Sequence, residues 1–417
     1  IRRRTAHVRD RVQPREGAVF RRLELRVKRA LLLLAIAARL HAASIDDAVR
    51  AAQATPPFDH ALLMIDIEDD AGNVLYAQNA HTLMIPASVR KLFSAATVQQ
   101  CLGSDTQFQT ELWRDGDDII IKGGGDPSFG AERYGYDDRN TFAPFIAALR
   151  AHQIEHVRDV IADVSLFDRV TIPYQWKVGN LTSIDASPVD ALIDRENAIG
   201  DDAVSSGGFF TALNFCDALE QAGIAVTGVL RLQTEPRAWA ERLGAIDSPF
   251  VEQLLMTVLK NSQNLYAETL YKRMSAGEKP ASYSASRDIE SAFLTNEVGI
   301  DPAEFRFVDG SGLAPDDLVT PAAVVKILRW MNAPERRSFW WAVMAQPGQE
   351  GTLKRRLLTY SDRLRGKTGT VAGVNTLAGL VAGRDGTLRY FALGWNHHLG
   401  SSATKLLDAI VDAVADF

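Results

Sequence analysis

The sequence predicts an α+β fold: an antiparallel sheet flanked by helices, with a smaller α+β unit inserted into it. Three observations lead there. Helical periodicity runs through 87–102 and returns in long stretches from about 209 to 332. Near the end, Val374–Ala382 and Thr387–Trp395 read as a hairpin around Gly383-Arg-Asp-Gly386, with an amphipathic helix Ala403–Ala415 behind it. Between the two helical zones, residues from about 105 to 200 alternate short strands with one helix and hold most of the Trp, Pro and Gly punctuation.

In chain order, Ile45–Ala54 reads as a helix closed by Pro56-Pro57. Ala61–Ile67 reads as a buried strand, and a turn at Asp69–Asn73 leads to a second strand, Val74–Ala77. Pro86 opens a helix, Ala87–Leu102, that is apolar on most faces and is therefore expected at the centre of the molecule. Asp118–Lys122 and Val157–Val164 are strands of the inserted unit, with a helix at Thr141–Gln153. Helices follow at Phe209–Ala222, Phe250–Ala276, Ala281–Val298 and Pro321–Asn332. The expected division is 1–44 as a basic extension with a signal peptide, 45–104 plus 209–417 as the main unit, and 105–208 as the insertion.

At 417 residues, 46% hydrophobic and 24% charged, the chain can bury a large core and more than one domain. Its formal charge of −6 is uneven, because twelve Lys/Arg against three Asp/Glu make residues 1–39 carry +9 and leave −15 for the remainder. An acidic body argues against nucleic acid as a partner, since phosphate binding needs a basic face. The basic segment around Arg21–Arg29, the apolar run Ala30–Ala38 and the small residues Ala42-Ala43-Ser44 have the layout of a secretory signal peptide, so an exported, periplasmic protein is expected. That run is about half the length a bilayer-spanning helix needs. Cys101 and Cys216 share no motif, so neither a disulfide framework nor a CxxC metal site is expected.

Three short motifs carry chemistry. Ser88-Val-Arg-Lys91 stands at the start of the central helix, where a spacing of three puts Ser88 and Lys91 on one face. Backbone N–H groups and the helix dipole favour negative charge there. A lysine buried among apolar residues and other cations can lose enough basicity to accept the serine proton. Ser262-Gln-Asn264 can relay a proton and hold an amide if it lies in a loop or distorted turn. Lys367-Thr-Gly-Thr370 opens an edge strand. Its Lys and Thr suit a carboxylate, Gly369 admits a substrate backbone, and the Thr370 N–H can face an oxyanion.

Each motif alone is weak; a capped helix start or a turn explains it as well. In this order and context they form the signature of penicillin-binding proteins and serine β-lactamases. With Pro86-Ala-Ser88, Gly124-Gly-Asp-Pro127, Asp163–Phe167, Ser262–Glu268, Asp309–Leu313 and Gly351-Thr-Leu353, the chain resembles the D-alanyl-D-alanine carboxypeptidase/endopeptidase family of low-molecular-mass penicillin-binding proteins over about residues 45–417. The 174 residues from Ser88 to Ser262 resemble the members that carry domains inserted between the first and second motifs.

The resemblance implies a transpeptidase-like catalytic domain and a defined set of roles. Ser88 forms the acyl-enzyme, Lys91 is its general base, and Ser262 passes the proton to the leaving D-alanine. Asn264 binds the substrate amide, Lys367 and Thr368 hold the terminal carboxylate, and the N–H groups of Ser88 and Thr370 form the oxyanion hole. It implies no metal or organic cofactor. The implied partners are peptidoglycan stem peptides and cross-links, with β-lactams as covalent inhibitors; peripheral membrane association is a further expectation.

Two departures stand out. Only about a dozen residues separate Asp194–Asn197 from the helix at Phe209, so the insertion is shortened relative to the family. Asn180 and Asp185 stand where relatives place an acidic residue and an aromatic for side-chain recognition. A β-lactamase or esterase on the same scaffold, and a non-catalytic peptidoglycan-binding scaffold, are the competing functions. Elsewhere, Gly123-Gly-Gly125 lacks the Lys-Ser/Thr of a phosphate loop, Ser311 lacks a nucleophile elbow and reads as a tight turn, and His397-His398 reads as a loop.

Overall fold

The computed structural model describes residues 45–417 apart from 138, 278 and 401. The expected signal peptide lies outside the described residues. The main sheet has five strands, all antiparallel: β1 (Leu62–Asp69), β2 (Val74–Gln78), and from the far end of the chain β8 (Leu364–Val371), β9 (Val374–Ala382) and β10 (Leu388–Asn396). Their spatial order is β8-β9-β10-β1-β2, which leaves β8 as an open edge.

Both faces of this sheet are covered. On one, Leu63, Ile65, Leu377, Val381 and Leu393 pack with Ile45 and Val49 of helix α1 (residues 45–53) and with Leu407, Ile410 and Val414 of α10 (Thr404–Asp416). On the other, Met64, Ala378 and Leu380 meet a helical layer. That layer contains α2 (Lys91–Leu102), α5 (Val251–Lys260), α6 (Asn264–Arg273), α7 (Tyr283–Phe293) and α8 (Pro321–Met331), with the short α9 (Arg337–Val343) beside them. Burial on both faces explains why β9 reads as a nearly continuous apolar run instead of an alternation. Helix α2 is buried at every position from Lys91 to Val98, as a helix without a polar face must be.

The inserted unit has its own five-stranded mixed sheet. Its strands are β3 (Gln109–Asp115), β4 (Asp118–Lys122), β5 (Val160–Asp163), β6 (Leu230–Gln233) and β7 (Glu241–Asp247), in the order β6-β5-β4-β3-β7. Helices α3 (Ala143–Ala151) and α4 (Gly207–Gln221) pack on it through Phe145, Leu149, Phe215 and Leu219.

The insertion therefore extends to Asp247, past the boundary at 208 expected from sequence. Helix α4 belongs to it because Ala212, Phe215 and Leu219 face Ile121, Val160 and Ala162, not the main core. Strands β6 and β7 escaped the sequence reading for a physical reason: they are the two edges of the sheet and remain largely solvated, so little apolar alternation marks them.

One buried ion pair fixes the start of α2. The Arg90 guanidinium donates to both carboxylate oxygens of Glu290 in α7 (2.6 and 2.7 Å) and to the Asp309 carbonyl (3.0 Å), and it stacks 3.9 Å from the Phe307 ring centroid. Tyr271 Oη donates to the same Glu290 carboxylate (2.7 Å). Removing one partner of a fully buried pair leaves an unpaired charge, which costs about 3–5 kcal/mol. Glu290→Ala is expected to lose that much stability in a denaturant titration, and Glu290→Gln less; a loss within about 0.5 kcal/mol, the surface-substitution range, would contradict this account.

Candidate active site

Residues from three remote segments converge at the open edge of the main sheet. The first is the start of the central helix, which departs from the continuous α-helix expected at 87–102. Ala87 sits in the left-handed region (φ 46°), and residues Ala87–Arg90 form a 3₁₀ turn before α2 begins at Lys91. In a 3₁₀ turn the side chains at i and i+3 eclipse each other. That geometry sets Lys91 Nζ 2.9 Å from Ser88 Oγ.

Lys91 is fully buried and makes two further hydrogen bonds, to Asn264 Oδ1 (2.6 Å) and to the Ser311 carbonyl (2.8 Å). The amide orientation of Asn264 is set by its other end, where Nδ2 donates to the Asp185 carbonyl (2.9 Å). Both partners of Lys91 other than Ser88 are therefore acceptors only. They take two N–H bonds, and the third position on Nζ is aimed at Ser88 Oγ. When Lys91 is neutral, that position is the lone pair. Burial pushes its pKa down to about 8 although Asp309, Glu268 and Asp185 pull the other way, and the Arg90 charge adds to the lowering.

The second segment is the break between α5 and α6. The helical pattern expected to run through 250–276 stops for Asn261–Gln263, with Ser262 in the left-handed region (φ 63°) and the Gln263 side chain capping the Leu265 N–H (3.1 Å). This kink lets two neighbouring side chains face the same cleft. Ser262 Oγ accepts from Lys367 Nζ (2.8 Å), while Asn264, at the first turn of α6, reaches Lys91.

The third segment is the edge strand β8. Lys367 is fully buried and also donates to the Thr368 carbonyl (2.7 Å). Burial, and then the charge of Lys91, hold its pKa well below the usual lysine range. The Gly366 N–H points off the edge to the Ala345 carbonyl (3.0 Å). Strand alternation turns the N–H groups of Thr368 and Thr370 the same way, toward the cleft. A Cβ on Gly369 would lie 2.2 Å from Thr376 Oγ1 and 2.9 Å from the Ser88 backbone nitrogen, so only glycine lets β8 come this close to Ser88.

All the residues singled out from sequence for the reaction, Ser88, Lys91, Ser262, Asn264, Lys367, Thr368 and Thr370, thus come together at the open edge of the main sheet. Asp185 is exposed beside Asn264, to which it contributes a carbonyl, while Asn180 lies in the preceding turn Val178–Asn180. Among the described residues no group of three or more His, Cys, Asp or Glu could hold a metal ion.

The D-Ala-D-Ala carboxypeptidase 3 (S13) family matches this chain over residues 44–208 and 203–416. The chain belongs to that family. It is a hydrolase of the serine peptidase class. The D-alanyl-D-alanine carboxypeptidase of Actinomadura sp. (strain R39) is 26% identical over 458 residues, covering 87% of this chain and 82% of its own. The crystal structure of penicillin binding protein 4 (dacB) from Haemophilus influenzae shares the fold, with a TM-score of 0.79 at 20% identity over 89% of this chain and 99% of that one. It has also been solved complexed with a β-lactam, with a TM-score of 0.70 at 19% identity and the same coverage. A predatory peptidoglycan endopeptidase from Bdellovibrio bacteriovorus has the same fold, with a TM-score of 0.57 at 18% identity over 85% of this chain and 93% of its own.

In this S13 member the sequence reading missed the support beneath the lysine. Asp309 accepts four hydrogen bonds: Oδ1 from the Ser311 and Gly312 N–H groups (3.1 and 2.7 Å), and Oδ2 from the Ala314 N–H (2.8 Å) and Trp176 Nε1 (2.9 Å). Glu268 takes the Gly310 and Ser311 N–H groups (2.9 and 2.8 Å), and burial raises its pKa. Together they form the tight turn expected at Asp309–Leu313 and hold the Ser311 carbonyl against Lys91. The signal in sequence was Asp-Gly-Ser-Gly itself, but nothing local says which carbonyl meets which lysine.

Proposed function

We propose that the chain removes the terminal D-alanine from peptidoglycan stem peptides through a Ser88 acyl-enzyme, and cuts D-alanyl cross-links by the same route. The observation that carries this reading is the hydrogen-bond set of Lys91, whose one position without an obligate acceptor faces Ser88 Oγ.

In the forward step the Ser88 hydroxyl proton moves to Lys91 Nζ as Oγ bonds to the carbonyl carbon. The oxyanion that forms faces the N–H groups of Ser88 and Thr370, which need no reorganisation to receive it. The proton then passes through Ser262 to the departing amine, the C–N bond breaks, and D-alanine leaves. Lys367 and Thr368 suit the carboxylate of that residue: a bound anion offsets the burial cost of the Lys367 charge. Water, deprotonated by the same lysine, releases the acyl group. Asn264, held between Lys91 and the Asp185 carbonyl, is placed to meet the substrate amide.

A β-lactam follows the first half of this path, but its leaving nitrogen stays tethered to the acyl group, so a long-lived adduct is expected. The basic and apolar layout of residues 21–44 supports action in the periplasm after export. The test is intact-mass spectrometry after mixing with benzylpenicillin, alongside D-alanine release from a pentapeptide. A stable gain of one drug mass together with D-alanine release is the expected result. Rapid drug hydrolysis without an adduct would favour a β-lactamase, and neither adduct nor release would favour a binding scaffold.

A further inference from the structure

A second space, of about 460 Å³, lies next to Ser262 along the chain. Lys260 and Asn261, which immediately precede that serine, open into it, and it is walled also by Thr257 of α5 and by Gln346, Gln349 and Glu350. Its place relative to the reaction is set by β8. The Gly366 N–H is bonded to Ala345 (3.0 Å), so the loop that starts at Gln346 abuts the N-terminal end of the strand. That end lies beyond Lys367 and Thr368, on the side away from Ser88 and Thr370. The Thr352 N–H closes the loop onto the Lys260 carbonyl (2.9 Å).

Lys260 is half-buried, and it is the basic group of this lining whose side chain has no hydrogen bond or ion pair among the described residues. Arg365 lies on the same face of β8 as Lys367 by strand alternation, and among the described residues it donates to the carbonyls of Trp341 (2.9 Å) and Leu364 (2.8 Å). Burial and then the Arg365 charge depress the Lys260 pKa, against an opposite pull from the Glu350 carboxylate. Arg133, at the far wall, is already paired with Glu196 (2.7 Å). Glu350 is the one acid among the described lining residues, and it is exposed.

The catalytic reading puts the carboxylate of the leaving residue at Lys367–Thr368 and its amine at Ser262, next to Lys260 and Asn261, which leaves this space for its side chain. A terminal D-alanine has only a methyl there. The leaving residue of a cross-link instead carries a second stem peptide with carboxylates of its own. We propose that this space is the leaving-strand subsite, which takes the anionic peptide released when a cross-link is cut, and that Lys260 is the residue that selects it. The inference rests on the catalytic reading above.

The test uses the full chain with Lys260→Ala and Lys260→Glu, assayed on purified cross-linked muropeptide dimers, on monomeric pentapeptide and for benzylpenicillin acylation. Loss of one charged hydrogen bond predicts a fall of about 10-fold or more in kcat/KM on dimers, deeper for Glu than for Ala. D-Alanine release from the monomer and the acylation rate should stay within about twofold of wild type, the span of a surface substitution of up to 0.5 kcal/mol. Equal falls on dimer and monomer would overturn the proposal, as would an unchanged dimer rate or a wild type that trims monomers but leaves dimers intact. Absence of both acylation and D-alanine release in the wild type would instead sink the catalytic reading beneath it.

Discussion

Ser88→Ala is expected to give no covalent adduct with benzylpenicillin and to lower D-alanine release by at least about 10⁴-fold, the loss seen when a member of a nucleophile–base unit is removed. The substitution deletes one oxygen from a half-buried position and leaves the Arg90–Glu290 clamp, the Asp309 turn and the remaining hydrogen bonds of Lys91 in place. The variant should therefore fold and unfold like the wild type. With folding checked by circular dichroism, retained adduct formation would show that another nucleophile does the chemistry. Ser262 is the first to examine, because it faces the same cleft 2.8 Å from a lysine. The two serines differ in what their lysines can do. Lys91 has two obligate acceptors and a lone pair left for Ser88, whereas Lys367 suits a carboxylate and is more useful protonated.

The second large effect concerns pH. Lys91 accepts a proton only as the free amine, and its pKa is lowered from 10.5 to about 8. The amine is then a minority below about pH 8 and dominant above it. The acylation rate at saturating drug, where a bound carboxylate keeps Lys367 protonated, should rise about tenfold per pH unit below that point and level off above it. An unshifted lysine would still be climbing at pH 10. Lys91→Ala should abolish this rising limb and slow acylation by about 10²–10⁴-fold, the range for a positioned general base. A rate that is flat from pH 6 to 9 in the wild type would remove Lys91 from that role, whatever the fold. Stopped-flow acylation with a chromogenic β-lactam measures both.

The two predictions draw on different parts of the molecule. The expectation that Ser88 is the nucleophile is legible in a four-residue motif. The pH limb depends on burial of Lys91 under α6 and the Asp309 turn, which no local pattern states.

Much of the architecture could be read from the chain itself. The β9–β10 hairpin, the last helix, the strand Asp118–Lys122 and the burial of the central helix follow from apolar periodicity and Gly-containing turns, which report what each segment must hide from water. The three short motifs are also local, and their order along the chain was enough to point to a family. Packing settled the remainder. The left-handed residues Ala87 and Ser262 convert two expected helices into a 3₁₀ turn and a kink, a backbone cost that only surrounding contacts can sustain. The contacts of Lys91 with Asn264 and Ser311 join residues 173 and 220 positions apart, and the reach of the insertion to Asp247 rests on two solvated edge strands. Periodicity reports how one segment meets water and not which distant segment it will meet. The sequence by itself therefore determined which groups are candidates for the chemistry, and the tertiary structure decided how they are buried, aimed and held.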